Sequence, residues 1–387
     1  MSKTLKVLGA IVVAAVLLGT EALFAAYFLF FSAKVGTITS VKTQAQIQNE
    51  LTSMLGVETN PLSGLLGATD QTASIGTNLY TVDYKNDYYL DDYLDAGIDT
   101  QEAFHNFLSK ELLFSMQVSP DAYSIAGSAF SATAGNGNAL AAKNTDTFLT
   151  DVGIIWTHPK HDYASVSFVD LSALGFSGSG FLQKMQVLLA PYFPQDGMNE
   201  KGLTVSLLRV YGESSLRGGE TALPPTVMAR VLLDKAATVD DAAALLERYG
   251  IVPWYADGDF QIYVTDASGQ TLLAQYCDGE LYLTHGVEAV TNYFLDEALL
   301  PAEEARTGAV RYQRLQEGLA QPLDRASAMD VLRSARSSRY DGKENAGLET
   351  VYSVVFDKTA GEIDVCFGED FETIYTFSAS ERTLLAP

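Results

Sequence analysis

Only two cysteines occur in the 387 residues, which excludes a disulfide-stapled mini-fold and a Cys-rich zinc module. Histidine is almost as scarce, with four copies, so a metal centre has few nitrogen ligands to draw on. Positive charge is the third shortage: 25 Lys and Arg stand against 48 Asp and Glu, a net −23. Such a chain repels nucleic acid and anionic headgroups, so a polyanion partner is excluded as a first reading. Charged residues of both signs reach only 19%, below the roughly 25% of an ordinary soluble protein. No P-loop, GxGxxG fingerprint, GxSxG elbow or internal repeat is present. What the chain does have is a hydrophobic fraction of 47%, which argues against a disordered polyanion. Its length suits one large domain or two modest ones.

The longest apolar run is at the start. Residues 7–33 read VLGAIVVAAVLLGTEALFAAYFLFFSA, with Glu21 as the one charge. As a helix this run spans about 40 Å, more than the ~30 Å hydrocarbon core of a bilayer. Lys3 and Lys6 precede it, so the positive-inside rule leaves residues 1–6 in the cytoplasm and the body outside. The expectation is a single-pass signal anchor in the cell membrane. The rival is a cleaved signal peptide ending near Ala25 or Ala26, which would leave Tyr27 to Phe31 as an exposed apolar terminus. Glu21 would cost about 3 kcal/mol at the bilayer centre; a partner helix would absorb it, or a span this long tolerates it. Beyond Lys34 the body carries 22 basic against 47 acidic groups, a balance of −25.

Residues 34–75, rich in Thr, Gln, Ser and Gly, read as a stalk: a polar helix over 41–55, then a loop over 58–74 containing Asn60-Pro61. Residues 76–126 form a pre-region, aromatic and acidic in LYTVDYKNDYYLDDYL, with a helix over 100–114 capped by Thr100. Strands are expected over 128–133 and 139–143 around Gly135-Asn136-Gly137-Asn138, then over 152–156, 164–169 and 203–211. Two helices follow at 226–236 and 239–248, the second capped by Thr238. A hairpin over 260–265 and 271–276, extended by 280–284, precedes a helix over 327–336 and a last hairpin over 351–356 and 362–367. Hairpins with paired helices between them indicate an α+β fold with largely antiparallel sheets. His158 and His161 share THPKHD, where Pro159 favours a loop over a metal site. Cys277 and Cys366 fall on strands, and a disulfide or two separate thiols both remain open.

Asp196-Gly197-Met198-Asn199-Glu200-Lys201-Gly202-Leu203 is an unusually specific string. It resembles the DGMNEKGL signature of the linear amide C–N hydrolases, the family of choloylglycine hydrolases and penicillin V acylases. Three further matches keep the family's order: Val290-Thr291-Asn292-Tyr293-Phe294 with its V-T-N-x-F strand end, Val310-Arg311-Tyr312 with the R-Y opening a later helix, and residues 350–356 and 364–368 with its closing hairpin. The aromatic pre-region resembles that of some Gram-positive members. The resemblance implies a four-layer αββα N-terminal-nucleophile hydrolase domain over residues 127–387. It implies a Cys that becomes the mature N-terminus and attacks the amide carbonyl, with its own α-amine as general base, an Asn at the oxyanion, and an Asp and two Arg around them. It implies a small-molecule amide as partner and brings in no cofactor.

The first motif departs from the family. Its G-C-S-x-F and L-F-G-R-N-x-D correspond to Ala126-Gly127-Ser128-Ala129-Phe130 and Leu140-Ala141-Ala142-Lys143-Asn144-Thr145-Asp146. Gly127 occupies the position of the nucleophilic Cys and Lys143 that of the first Arg, while Asp146, Asn292 and Arg311 match. Arg209 stands where bile-acid-type members carry another Asn. One reading is a copy with impaired or lost catalysis, retained as a ligand-binding or scaffold protein. The other is an active N-acyl amidase whose nucleophile has moved to Ser128, exposed by cleavage of the Gly127–Ser128 bond. Against the second, a one-residue shift along a strand turns the side chain to the opposite face. Asp146 and Arg311 also allow a purely structural reading as a buried ion pair, and Asn292 one as a satisfied turn residue.

Overall fold

β-branched and aromatic runs at period two dominate the body, and they gather into two large sheets. The computed structural model describes residues 57–61, 79–84, 87–113, 120, 121, 123, 125–148, 150–176, 186–210, 218, 219, 221–254, 259–295, 308–338, 348–368, 370–382 and 384–386. In chain order the first elements are β1 (Val57–Pro61), β2 (Leu79–Tyr84), α1 (Leu90–Asp95), α2 (Gln101–Leu112), β3 (Ala126–Thr133) and β4 (Ala139–Thr147). Next come β5 (Val152–Thr157), β6 (Ser165–Asp170), a 3-10 turn (Val187–Tyr192), β7 (Asp196–Asn199), β8 (Thr204–Val210) and β9 (Thr221–Leu223). They are followed by α3 (Pro225–Lys235), α4 (Val239–Arg248), β10 (Tyr249–Ile251), β11 (Asp259–Thr265), β12 (Thr271–Cys277), β13 (Glu280–His285) and β14 (Ala289–Val290). The chain closes with α5 (Ala309–Leu319), α6 (Arg325–Ser334), β15 (Glu349–Asp357), β16 (Glu362–Phe367), β17 (Tyr375–Ser378) and β18 (Leu384–Ala386).

The larger sheet has nine strands in the order β1-β2-β5-β6-β7-β8-β11-β12-β13, and the smaller has seven, β14-β3-β4-β15-β16-β17-β18. Among the described residues of these two sheets, only β2 and β5 run parallel. Alternation along each strand decides what each face meets. Ile154, Trp156, Phe168 and Met198 of the larger sheet pack on Val354, Phe356, Ile363 and Val365 of the smaller, forming the core between the sheets. Phe168 stacks on Tyr352 with ring centroids 5.0 Å apart. On the far side of the larger sheet, Val205, Leu207 and Val264 meet Val231, Leu232 and Leu246 of α3 and α4. On the far side of the smaller sheet, Phe130, Ala142 and Val355 meet Leu315 and Leu332 of α5 and α6. Helices therefore cover both outer faces of a two-sheet sandwich.

The aromatic pre-region is woven into this body. β2 zips onto β5 through six register pairs. Tyr84 donates to the Leu188 carbonyl at 3.1 Å and Tyr88 to Asp234 Oδ2 at 2.6 Å, while Tyr192 donates back to the Tyr88 carbonyl at 2.7 Å. Thr100 caps α2 as expected, accepting from the Ala103 amide, and Thr238 closes a capping box on α4. One expectation is corrected: the loop assigned to 58–74 begins as strand β1, paired antiparallel with β2. Pro61 is tolerated because it is the last residue of an edge strand, where a missing N–H breaks no ladder. The polar helix over 41–55 and the apolar run over 7–33 lie outside the described residues. Among the described residues no helix is long and apolar enough to cross a membrane.

Candidate functional site

Gly127 is the second residue of β3, opposite Thr145 of β4. Its amide N–H donates to Asn292 Oδ1 at 3.2 Å. A Cβ built on Gly127 would lie 2.1 Å from the Asn144 carbonyl oxygen and 3.5 Å from Lys143 Cε, at a φ of +154°. No side chain fits there without moving backbone. Ser128 pairs with Asn144, and strand alternation turns both side chains toward the helices rather than into the sandwich. The Ser128 hydroxyl is fully buried and accepts from Asn144 Nδ2 at 3.3 Å, while that amide also donates to the Leu332 carbonyl of α6 at 2.8 Å.

Asp146, Asn292 and Arg311 do converge. Arg311, near the start of α5, donates through Nη1 to Asp146 Oδ2 at 2.7 Å and through Nη2 to Asn292 Oδ1 at 2.7 Å. Thr350 Oγ1 donates to Asp146 Oδ1 at 2.6 Å, and Asn292 Nδ2 donates to the Arg209 carbonyl at 2.6 Å. Gly308, the residue before α5, has φ +92°, and a Cβ there would meet Arg311 Nη2 at 2.9 Å. Glycine at this corner lets the guanidinium reach back over the helix start. The ion pair and the satisfied amide expected as structural alternatives are thus both present.

Lys143 takes the other face of β4. Its ammonium pairs with Asp196 Oδ1 and donates to the Leu207 carbonyl at 2.8 Å, so it braces the two sheets. Burial pushes the lysine pKa down, opposed by the Asp196 charge. Asp196 also accepts from Thr145 Oγ1 at 2.8 Å and from the Tyr352 hydroxyl, whose pKa burial and that carboxylate push well up. The short strand Asp196–Asn199, DGMN, carries no local signal that marks Asp196 as this buried hub. The rest of the string is explained by packing. Asn199 Nδ2 donates to the Leu233 and Ala236 carbonyls at the end of α3, and its Oδ1 accepts from the Lys201 and Leu203 amides. A Cβ on Gly197 would press on the Val166 carbonyl oxygen at 2.7 Å, and Gly202 turns at φ +75°.

The centre is enclosed. Ser128, Lys143, Asp146, Asn292 and Arg311 are all buried. The chain upstream of Gly127 is held too: Arg209 N–H donates to the Ile125 carbonyl at 2.6 Å, and Tyr123 packs its ring on Phe260. His158 lies 3.4 Å from Asp83, and among the described residues no group of three His, Cys, Asp or Glu could hold a metal ion. Cys277 and Cys366 are both unpaired, the latter buried with its thiol toward the Asp370 carbonyl at 3.0 Å.

Comparison with known proteins follows the same lines. No curated protein matches the chain. Penicillin V acylase from Agrobacterium tumefaciens is similar at 18% identity over 66% of this chain and 86% of its own, with a TM-score of 0.48. A mutant of the conjugated bile acid hydrolase from Clostridium perfringens is similar at 15% identity over 66% of this chain and 93% of its own, with a TM-score of 0.49. Residues 186–371, which hold Asp196, Asn292 and Arg311, match the family model of acyl-coenzyme A:6-aminopenicillanic acid acyl-transferase. Over those residues, just under half of the chain, the protein is similar to that acyl-transferase family, in keeping with the linear amide C–N hydrolase motifs it resembles.

Proposed function

We propose that this chain is a membrane-tethered, extracellular family member that has lost amide hydrolysis and keeps the old centre as an internal brace. The observation that carries the reading is at position 127: there is no side chain to attack a carbonyl, and the Asn144 carbonyl oxygen fills the space one would need. Ser128 supports it from the other side, since its hydroxyl is engaged by Asn144 beneath α6. Lys143 adds to it, because an ammonium paired with Asp196 lacks the planar two-pronged contact of a guanidinium. The tether is residues 7–33, oriented by Lys3 and Lys6. A small-molecule amide of the kind named for the relatives, penicillin V or a conjugated bile acid, is the ligand class to test first.

The deciding measurement is the intact mass of the full chain purified from membranes, followed by incubation with penicillin V and conjugated bile acids. A single uncut chain that releases no amine is expected. A new N-terminus at Ser128 with amine release would replace this reading by the Ser-nucleophile amidase. Carbonate extraction and protease accessibility on whole cells test the tether: the body is expected to stay with the membrane and to be cut from outside.

A further inference from the structure

A cavity of about 260 Å³ opens at the far end of the sandwich from Gly127. β15 shows the separation: Thr350, near its start, contacts Asp146, whereas Lys358 follows its end and lines the cavity. Eight residues of strand place the two sites roughly 25 Å apart. The volume is just below the roughly 300 Å³ at which pockets for drug-sized molecules begin, so the occupant is small.

Its walls divide by chemistry. Val166, Met198 and Ala379 give an apolar floor, and His158, Lys358 and Arg382 bring basic groups to it, with Glu200 the acidic residue among those lining it. Asp83 Oδ1 lies 3.3 Å from Arg382 Nη1 and 3.4 Å from His158 Nε2, so one carboxylate outside the lining positions both rim groups. Arg382 is held at φ +57°, a left-handed conformation costly for a residue with a side chain and recurrent at ligand clamps. Lys358 is buried, donates to Thr265 Oγ1 at 2.7 Å, and lies within reach of the Asp266 charge. Burial lowers its pKa to about 8. Three basic residues beside one acidic residue in the lining stand out in a body whose balance is −25, although Asp83 offsets Arg382 and His158 from outside it.

We propose that this cavity binds a small carboxylate with an apolar body, its charge toward Arg382 and Lys358 and its apolar part over Val166, Met198 and Ala379. The site is independent of the Gly127 centre and of whether that centre turns over an amide.

Titration calorimetry of the full chain with benzoate, benzamide and benzylamine tests it. Saturable 1:1 binding of benzoate is expected, with benzamide at least tenfold weaker and benzylammonium not bound. Arg382→Ala, at a half-exposed position, is expected to weaken benzoate at least tenfold without changing the melting temperature. Ala379→Leu, which fills the floor, is expected to abolish binding. No saturable benzoate binding, equal affinity for benzamide, or unchanged affinity in Arg382→Ala would each overturn the proposal. If Ala379→Leu does not fold, Arg382→Ala and the benzamide comparison still decide it.

Discussion

The Gly127 amide N–H and the Arg311 guanidinium donate to the same oxygen, Asn292 Oδ1, at 3.2 and 2.7 Å. In the family that asparagine stabilises an oxyanion; here its oxygen holds the chain's own backbone and its Nδ2 holds the Arg209 carbonyl. These buried groups meet each other, with Arg311 Nε left without a hydrogen-bond partner among the described residues, and a buried polar network of this kind rigidifies a core.

Restoring the family cysteine should therefore not restore hydrolysis. Gly127→Cys puts a Cβ 2.1 Å from a backbone oxygen, and relieving that contact displaces the β3–β4 pairing at a cost of about 2–4 kcal/mol. The variant is expected to unfold at lower urea concentration and to release no amine from penicillin V. Turnover accompanied by cleavage before residue 127 would show that the strand start can open.

Removing one member of the buried ion pair should be costlier than removing both. Arg311→Met takes the paired guanidinium away from the buried Asp146 carboxylate, which keeps its hydrogen bond from Thr350, a loss of about 3–5 kcal/mol. Adding Asp146→Asn takes away the stranded charge and should return part of that loss. A double-mutant cycle by urea unfolding reads the coupling; strictly additive losses would mean that the pair does not act as a unit.

Much of this was legible in the residues because strands and caps write short-range signals. The Glu362–Phe367 strand, the Thr100 cap and the α4 capping box follow from local pattern. Asp146, Asn292 and Arg311 lie far apart in the chain, and only the resemblance connected them. Three things were hidden. β1 looked like a loop because Asn60-Pro61 reads as a turn, and only its pairing with β2 makes it a strand. Asp196 gave no local sign that Lys143, Thr145 and Tyr352 would all converge on it. The closure at Gly127 depends on where a carbonyl of the neighbouring strand lies, which no single-chain pattern encodes.

Stability should fall between pH 4 and pH 7 through Asp234. Burial pushes its pKa up to about 6, opposed by Arg230 and by the Tyr88 hydroxyl. The folded chain thus holds a proton that the unfolded chain, near the ordinary value of about 4, has already released. The contribution is fully present below pH 4 and is lost as pH rises through 6, an effect of order 3 kcal/mol. Asp234→Asn stays neutral throughout, so wild type minus variant should decline across that window in urea unfolding. A flat or rising difference would rule the assignment out.

The DGMNEKGL string should prove structural at Asn199 and indifferent at Glu200. Asn199 makes four hydrogen bonds, two from Nδ2 at 2.9 and 2.7 Å to the end of α3 and two to Oδ1 at 3.0 Å across the turn. At about 1 kcal/mol net for each bond, and more where a buried carbonyl is left unpaired, Asn199→Ala should cost roughly 3 kcal/mol or more. Glu200, one residue on, is exposed, and Glu200→Ala should stay within about 0.5 kcal/mol of wild type. Because α3 carries Arg230 and Asp234, loosening its end should also weaken the tie to Tyr88 and speed amide exchange in β2. Thermal unfolding and hydrogen exchange of the two variants side by side read both effects, and equal behaviour would mean that the string is retained for something other than this turn.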